Sequence, residues 1–234
     1  MPTWFYGIGS RLTRWFLIPF GPLRVEGLER VPRSGAFIAA ANHVSILDPL
    51  IVGATVGHMT GRVVHFMAKG EVRRWPLIGW LASQSGVFFV RRGEGDRPAQ
   101  RFALQLLAEG EPVAMFLEGT RSRDGTLGEG KNGAALLAMR AGVPILPVGV
   151  IGAERIIPRG ASFPRRARIT VRVGEPFELP SQPSGRLDRD DLRAGTERMM
   201  REIAALLPAA QRGQWGTDQA LSGAEPHSPI ESSQ

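Results

Sequence analysis

The stretch ANHVSILDPL (residues 41–50) carries a histidine, His43, followed five positions later by an aspartate, Asp48. At that spacing the pair cannot share a helical face, which brings together residues three or four apart. Asp48-Pro49 reads instead as a helix start, with aspartate at the N-cap and proline at the first helical position. The preceding run GAFIAAA (residues 35–41) has the character of a buried strand. His43 is therefore expected on a strand-to-helix loop, with Asp48 close enough to hold its imidazole. An oriented imidazole with no Ser or Cys nucleophile beside it suits removal of a proton from a substrate's own hydroxyl. Taken alone, His-x4-Asp is also a pattern that chance and ordinary helix capping produce.

Three further segments bear chemistry. GVFFVRR (residues 86–92) is an apolar strand ending in Arg91 and Arg92, where a guanidinium can face an anion or simply cap a solvated strand end. FLEGTRSRDG (residues 116–125) runs from a strand into a glycine turn with Glu118, Gly119, Thr120 and Arg121. Arginine beside hydroxyls and turn amides is well made to hold a phosphate monoester. In KNGAALLAMRAGVPILPVGV (residues 131–150), Lys131 stands at a helix start, where dipole and ammonium both favour an anion. Pro144 and Pro147 interrupt the strand that follows, which predicts a bulge near a ligand.

The elements that must position these residues alternate along the chain. Strand-like runs cover residues 23–26, 36–41, 63–67, 87–90, 113–117, 145–151 and 169–173, and helix-like runs cover 49–56, 98–109, 131–141 and 190–207. Such alternation predicts an α/β fold, a mostly parallel central sheet flanked by helices. Three units are expected: an N-terminal membrane-interface helix (residues 1–22), a catalytic domain (residues 23–210) and a polar tail (residues 211–234) that loses structure from about Gly213.

Charge narrows the partners. The net charge of +7 is carried almost wholly by arginine, since Lys69 and Lys131 are the only lysines. That surplus favours nucleic acid, an anionic membrane surface or phosphorylated substrates. The arginines are dispersed among apolar segments, with no zinc pattern, basic helix or aromatic platform, so no nucleic acid is expected. The four histidines (His43, His58, His65, His227) lack paired-ligand spacing, so no metal is expected. A cysteine-free chain excludes disulfides and thiol catalysis. A membrane surface fits best. Trp4, Phe5, Ile8, Leu12, Trp15 and Phe16 fall on one side of an amphipathic helix, with Arg11 and Arg14 opposite. No run is long enough to span a bilayer, and the apolar loop WPLIGW (residues 75–80) is a second candidate membrane contact or the mouth of an acyl tunnel.

Taken in order, NHVSILD, GVFFVRR, FLEGTRS and VPILPV resemble the four motif blocks of the glycerolipid acyltransferases, whose best-known bacterial members are the 1-acyl-glycerol-3-phosphate acyltransferases. The resemblance covers residues 25–174. It implies that His43 is the general base and Asp48 the residue that orients and charges it. It implies acceptor-phosphate binding by Glu118, Gly119, Thr120 and Arg121, with Arg91 or Arg92, Lys69 and Lys131 as further basic contacts. Pro144 and Pro147 would lie on the acyl-donor side. The implied substrates are lysophosphatidic acid and acyl-CoA or acyl carrier protein, with no cofactor, and the implied place is the cytoplasmic face of the cell membrane. Glycerol-3-phosphate or another lysophospholipid as acceptor, phospholipid transacylation, and a non-catalytic lipid-binding module are the other readings.

Overall fold

The computed structural model describes residues 21–69, 87–90, 97–158 and 163–216. The expected N-terminal helix, the WPLIGW loop, Arg91 and Arg92 lie outside the described residues. Seven strands form one sheet: β1 (Leu23–Glu26), β2 (Ile38–Ala41), β3 (His65–Lys69), β4 (Val87–Val90), β5 (Val113–Phe116), β6 (Ile145–Ile151) and β7 (Ile169–Val173). Their order is β1-β7-β6-β2-β5-β3-β4. Every neighbouring pair is parallel except β6 with β7. The helices are α1 (Asp48–Thr60), α2 (Arg97–Ala108), α3 (Gly133–Ala141) and α4 (Arg189–Leu206). The α/β architecture with a mostly parallel sheet is the one that the alternating pattern predicts.

A parallel sheet covered on both faces needs strands that are apolar on both faces, not alternating ones. Strand β2 meets that demand with small residues. Phe37, Ala39 and Ala41 join one core with Ile51, Val52 and Val56 of α1. Ile38 and Ala40 join the other with Ala103, Leu106 and Leu107 of α2, with α3, and with Met199, Met200 and Ile203 of α4. The result is three layers; among the described helices, α1 lies on one side of the sheet and α2, α3 and α4 on the other.

The strand prolines are explained differently from the sequence expectation. The amide of Ile38 donates to Pro144 O, and Val150 pairs with the Asn42 side chain. Even-numbered backbone groups of β6 therefore face β2, and odd-numbered ones face β7. Pro147 lies in an unbroken strand on the β7 side, where its carbonyl accepts from Gly174 N and no acceptor asks for a donor in return. The pairing shifts from Val148↔Val173 to Ile145↔Phe177, so the extra residue sits in 174–177, not in β6. A Cβ on Gly174 would meet Pro147 Cγ at 2.7 Å, which fixes glycine at that bulge.

Beyond α4 the chain continues through two short 3-10 turns, Ala209–Gln211 and Gly213–Gly216. Structure thus persists past Gly213, where the polar composition predicts its loss. Trp215 supplies the reason: its ring packs on the α2–α4 core and its indole N–H donates to Gly128 O at 2.8 Å. No helix among the described residues is long and apolar enough to cross a membrane.

Asn42 ends β2 in a way that matters for the site. Its side-chain amide both donates to Val150 O at 2.9 Å and accepts from Val150 N at 2.7 Å. The side chain so extends the β2–β6 ladder while its own backbone departs toward His43. Asn42 is 2 % exposed, and Asn42→Ala would strand a buried donor and a buried acceptor on Val150. The expected loss is about 2 kcal/mol or more, read as a lower urea midpoint at unchanged slope. An unchanged midpoint would show that the two bonds contribute nothing net.

Candidate active site

Strands β2, β5, β3 and β6 all end at the same edge of the sheet, and the crevice beyond such strand ends is the usual ligand site of an open α/β fold. His43 leaves β2 there, and Glu118 leaves β5 two residues after Phe116. The His43 imidazole lies with Nδ1 2.8 Å from Asp48 Oδ2. The amides of Val44 and Ser45 donate to the same oxygen, each at 2.7 Å. One carboxylate oxygen therefore holds both the ring and the loop behind it. With Nδ1–H donating to Asp48, Nε2 is the nitrogen left for a substrate.

Asp48 is not the N-cap that the Asp-Pro pair predicts. It is the first residue of α1, Leu47 precedes it, and no side chain caps the helix. The carboxylate turns backward onto residues 43–45 instead. Its side chain is wholly inaccessible, and its Oδ1 has no partner among the described residues. Burial pushes the carboxyl above the ordinary Asp range, while the bond from His43 and the two amides pull against that rise. Ser45 is buried and accepts from Leu47 N, so it is held as a loop brace.

Glu118 makes a second clamp. Its Oε1 accepts from His43 N at 2.9 Å and its Oε2 from Gly128 N at 3.0 Å. It is 6 % exposed, and burial raises its pKa above the Glu range against the pull of those two amides. Both oxygens accept from backbone amides, so Glu118 holds the histidine loop to the segment at Gly128. Ser122 N donates to His43 O at 2.7 Å, which fastens the EGTR turn to the same loop from the other side.

The ring itself is held by an aromatic wall. Phe116 stacks on His43 with centroids 4.2 Å apart and planes 17° from parallel, and Phe66 stacks behind at 6.1 Å. Neither Phe116 nor Asn42 stands out in the sequence as functional. An asparagine directly after an all-apolar buried strand is a usable signal; a phenylalanine at a strand end is not.

The remaining candidates divide by place. Gly119 takes φ +66°, which lets the turn form, and a Cβ there would meet Lys131 Cγ at 3.6 Å. Thr120 and Arg121 are exposed on that turn, and Lys131 passes over it, so all three lie at the His43 edge. Lys131 precedes the helix start, since α3 begins at Gly133, and its ammonium lies 3.9 Å from Glu129. Lys69 closes β3 at the same edge, paired with Val90. Pro144 does not join them. It precedes β6, and its carbonyl accepts from Ile38 at the start of β2, a strand's length from His43. No three His, Cys, Asp or Glu side chains gather as a metal site among the described residues.

Comparison with known proteins agrees with this geometry. Residues 22–151 match the Acyltransferase family. The chain is 33% identical over 148 residues to the chloroplastic 1-acyl-sn-glycerol-3-phosphate acyltransferase LPAT1 of Arabidopsis thaliana, covering 62% of this chain and 40% of that protein. The lyso-ornithine lipid O-acyltransferase of Pseudomonas aeruginosa is 33% identical over 214 residues, 82% of this chain and 78% of that one. The crystal structure of the 1-acyl-sn-glycerophosphate acyltransferase PlsC from Thermotoga maritima superposes with a TM-score of 0.65 at 29% identity, covering 86% of this chain and 76% of that chain. The chain spans less than half the length of the chloroplast relative it matches. Matched over residues 22–151, the protein that holds His43 between two buried carboxylates belongs to the Acyltransferase family.

Proposed function

We propose that the protein transfers a fatty acyl group from acyl-CoA or acyl carrier protein to the sn-2 hydroxyl of 1-acyl-glycerol-3-phosphate, giving phosphatidic acid. The observation that carries this reading is the 2.8 Å contact between His43 Nδ1 and Asp48 Oδ2, set at the same edge as Arg121 and Lys131. His43 Nε2 takes the proton of the acceptor hydroxyl as that oxygen attacks the thioester carbonyl. Asp48 holds the Nδ1–H tautomer and, with Glu118, stabilises the imidazolium that forms. The tetrahedral centre collapses, the C–S bond breaks, and the imidazolium returns its proton to the thiolate.

Candidate donors for the oxyanion are few. The amides of His43, Val44, Ser45 and Gly119 are already bonded within the protein and are not available to it. Thr120 N, next in the EGTR turn, is the amide we assign to it. Phosphate binding is assigned to Arg121 and Lys131 at the His43 edge.

A second acceptor has its own support. The Pseudomonas relative aligns over more of both chains than the chloroplast enzyme does, and its name specifies a lyso-ornithine lipid. An ornithine head group offers an amine and a carboxylate where lysophosphatidic acid offers a phosphate. Thiol release from palmitoyl-CoA separates the two, with lysophosphatidic acid and lyso-ornithine lipid supplied in parallel. The cysteine-free chain adds no background to a thiol-reactive dye. Release with lysophosphatidic acid at the greater kcat/KM is the expected result; release with lyso-ornithine lipid alone would move the assignment to that acceptor.

Two variants test the machinery. His43→Ala is expected to lower kcat by about 10²–10⁴-fold, the usual worth of a general base, in a protein that still folds although its unfolding midpoint falls because buried Asp48 loses a donor. Near wild-type turnover would refute the assignment of the base. Glu118→Gln keeps one acceptor but turns an NH₂ group toward the second amide. It should lower kcat about 10–100-fold through misplacement of His43, with acceptor KM nearly unchanged; a KM effect alone would instead make Glu118 a phosphate contact.

The same variant reports on linkage. Burial raises the folded-state Glu118 pKa above its ordinary 4.5, so the folded protein binds this proton more tightly than the unfolded chain. Its stabilising contribution is full below that value and declines as pH rises through the folded pKa. Wild type should therefore lose stability relative to Glu118→Gln as urea titrations move upward from pH 4.5. A difference that stays constant with pH would show that the carboxyl is not perturbed.

A further inference from the structure

The connection between β6 and β7 leaves the sheet at the edge that carries His43, and it presents side chains that the reaction does not use. Its base is anchored: Ala153 and Ile156 are fully buried, and Arg165 N donates to Ile156 O at 2.7 Å. Its neck is closed by backbone contact, since a Cβ on Gly152 (φ +86°) would lie 2.1 Å from Arg168 O. Beyond that base the exposure reverses. Phe163 is 80 % exposed and Ile157 is 37 % exposed. Arg165, Arg166 and Arg168 are exposed around them and form no ion pair with any described carboxylate, whereas Arg155 pairs with Glu154 at 3.5 Å. A well-anchored loop that lifts an aromatic and an aliphatic side chain into water, ringed by unpaired arginines, has the composition of an interfacial membrane contact.

Two neighbours agree on its orientation. The Ser122–Thr126 turn that follows EGTR lies against the loop, where a Cβ on Gly125 would meet Glu154 Cγ at 3.6 Å. The described chain also enters the fold here: Ile169 N donates to Pro22 O, and Gly21 abuts Ala167 O. The segment ahead of Gly21, whose sequence has the pattern of an interfacial helix, is thus joined to the fold beside this loop. An acidic protein could answer the arginines, but it gives no reason to expose Phe163 and Ile157 at the edge to which a lipid acceptor must come.

We propose that the β6–β7 connection, through Ile157, Phe163, Arg165, Arg166 and Arg168, docks on an anionic bilayer and sets the His43 edge of the sheet against the lipid head groups. The proposal goes beyond the acyl-transfer reading and does not need it, because docking can be measured without turnover. In the full cysteine-free chain, Phe163→Cys places a single polarity-sensitive dye on the loop, and Ser184→Cys places one on the exposed segment at the opposite edge.

On phosphatidylcholine vesicles containing phosphatidylglycerol, the dye at position 163 should shift to the blue and be quenched by brominated lipid. The dye at position 184 should stay unchanged. The pair Arg165→Gln and Arg166→Gln should weaken partitioning into those vesicles by about fivefold per arginine removed. The proposal is overturned if the protein sediments with vesicles while the dye at 163 stays silent, if it does not sediment with them at all, or if both positions respond alike. A response at 163 to acyl carrier protein but not to vesicles would overturn it too, and would assign the loop to that partner. Failure of thiol release in parallel samples bears on the acyltransferase reading alone, since the dye does not depend on it.

Discussion

Everything at the catalytic edge depends on keeping an anionic oxygen where water cannot reach it. Asp48 Oδ2 receives the His43 ring and two backbone amides, and these three donors replace the solvent that the carboxylate gave up. Asp48 is also the first residue of α1, so the positive end of that helix lies on it. Removing any of these partners would leave a buried charge short of donors. The loop geometry is therefore over-determined, and the imidazole has one orientation open to it.

Glu118 repeats the device from the next strand. His43 is held by one carboxylate at its ring and by another at its backbone, and the two come from the first and third of the four motif blocks. The two negative charges raise each other's cost of ionisation; the charge of Asp48 contributes to the raised pKa of Glu118. A proton arriving on the imidazole relieves both, because a positive His43 favours the charged form of each carboxylate.

The part of this arrangement visible in sequence is the part fixed by composition and order. GAFIAAA reads as a buried parallel strand because a doubly covered strand must be apolar at every position, and β2 is that strand. His43 and Asp48 are legible as a pair because a strand-to-helix loop brings them together. The direction of the Asp48 carboxylate was not legible. An aspartate before proline at a helix start has the same residues whether it caps forward or reaches backward, and only the tertiary position of residues 43–45 decides. The clamp made by Glu118 was not legible for a related reason: its neighbours Thr120 and Arg121 suggest an anion site, and only the fold brings the amides of His43 and Gly128 to its two oxygens. The role of Pro147 and the order just past Gly213 were not legible because they depend on what lies across from them, a bulge at residues 174–177 and, for Trp215, the carbonyl of Gly128.

The same edge logic connects chemistry to where the substrate is found. Strands β2, β5 and β6 deliver the base, the EGTR turn and the β6–β7 loop to one side of the sheet, and β1, antiparallel to β6 through β7, brings the start of the described chain to that side as well. Nothing in local propensity asks for this convergence; it follows from β7 running against β6, which starts β7 at the edge where β6 ends, and from β1 running parallel to β7, which starts β1 there too. An acceptor with a long acyl chain is poorly soluble in water, so an enzyme that uses it is served by having its base open toward the surface that supplies it. The antiparallel β7, the exception in an otherwise parallel sheet, is the element that puts the His43 loop, the β6–β7 connection and the start of the described chain on one edge.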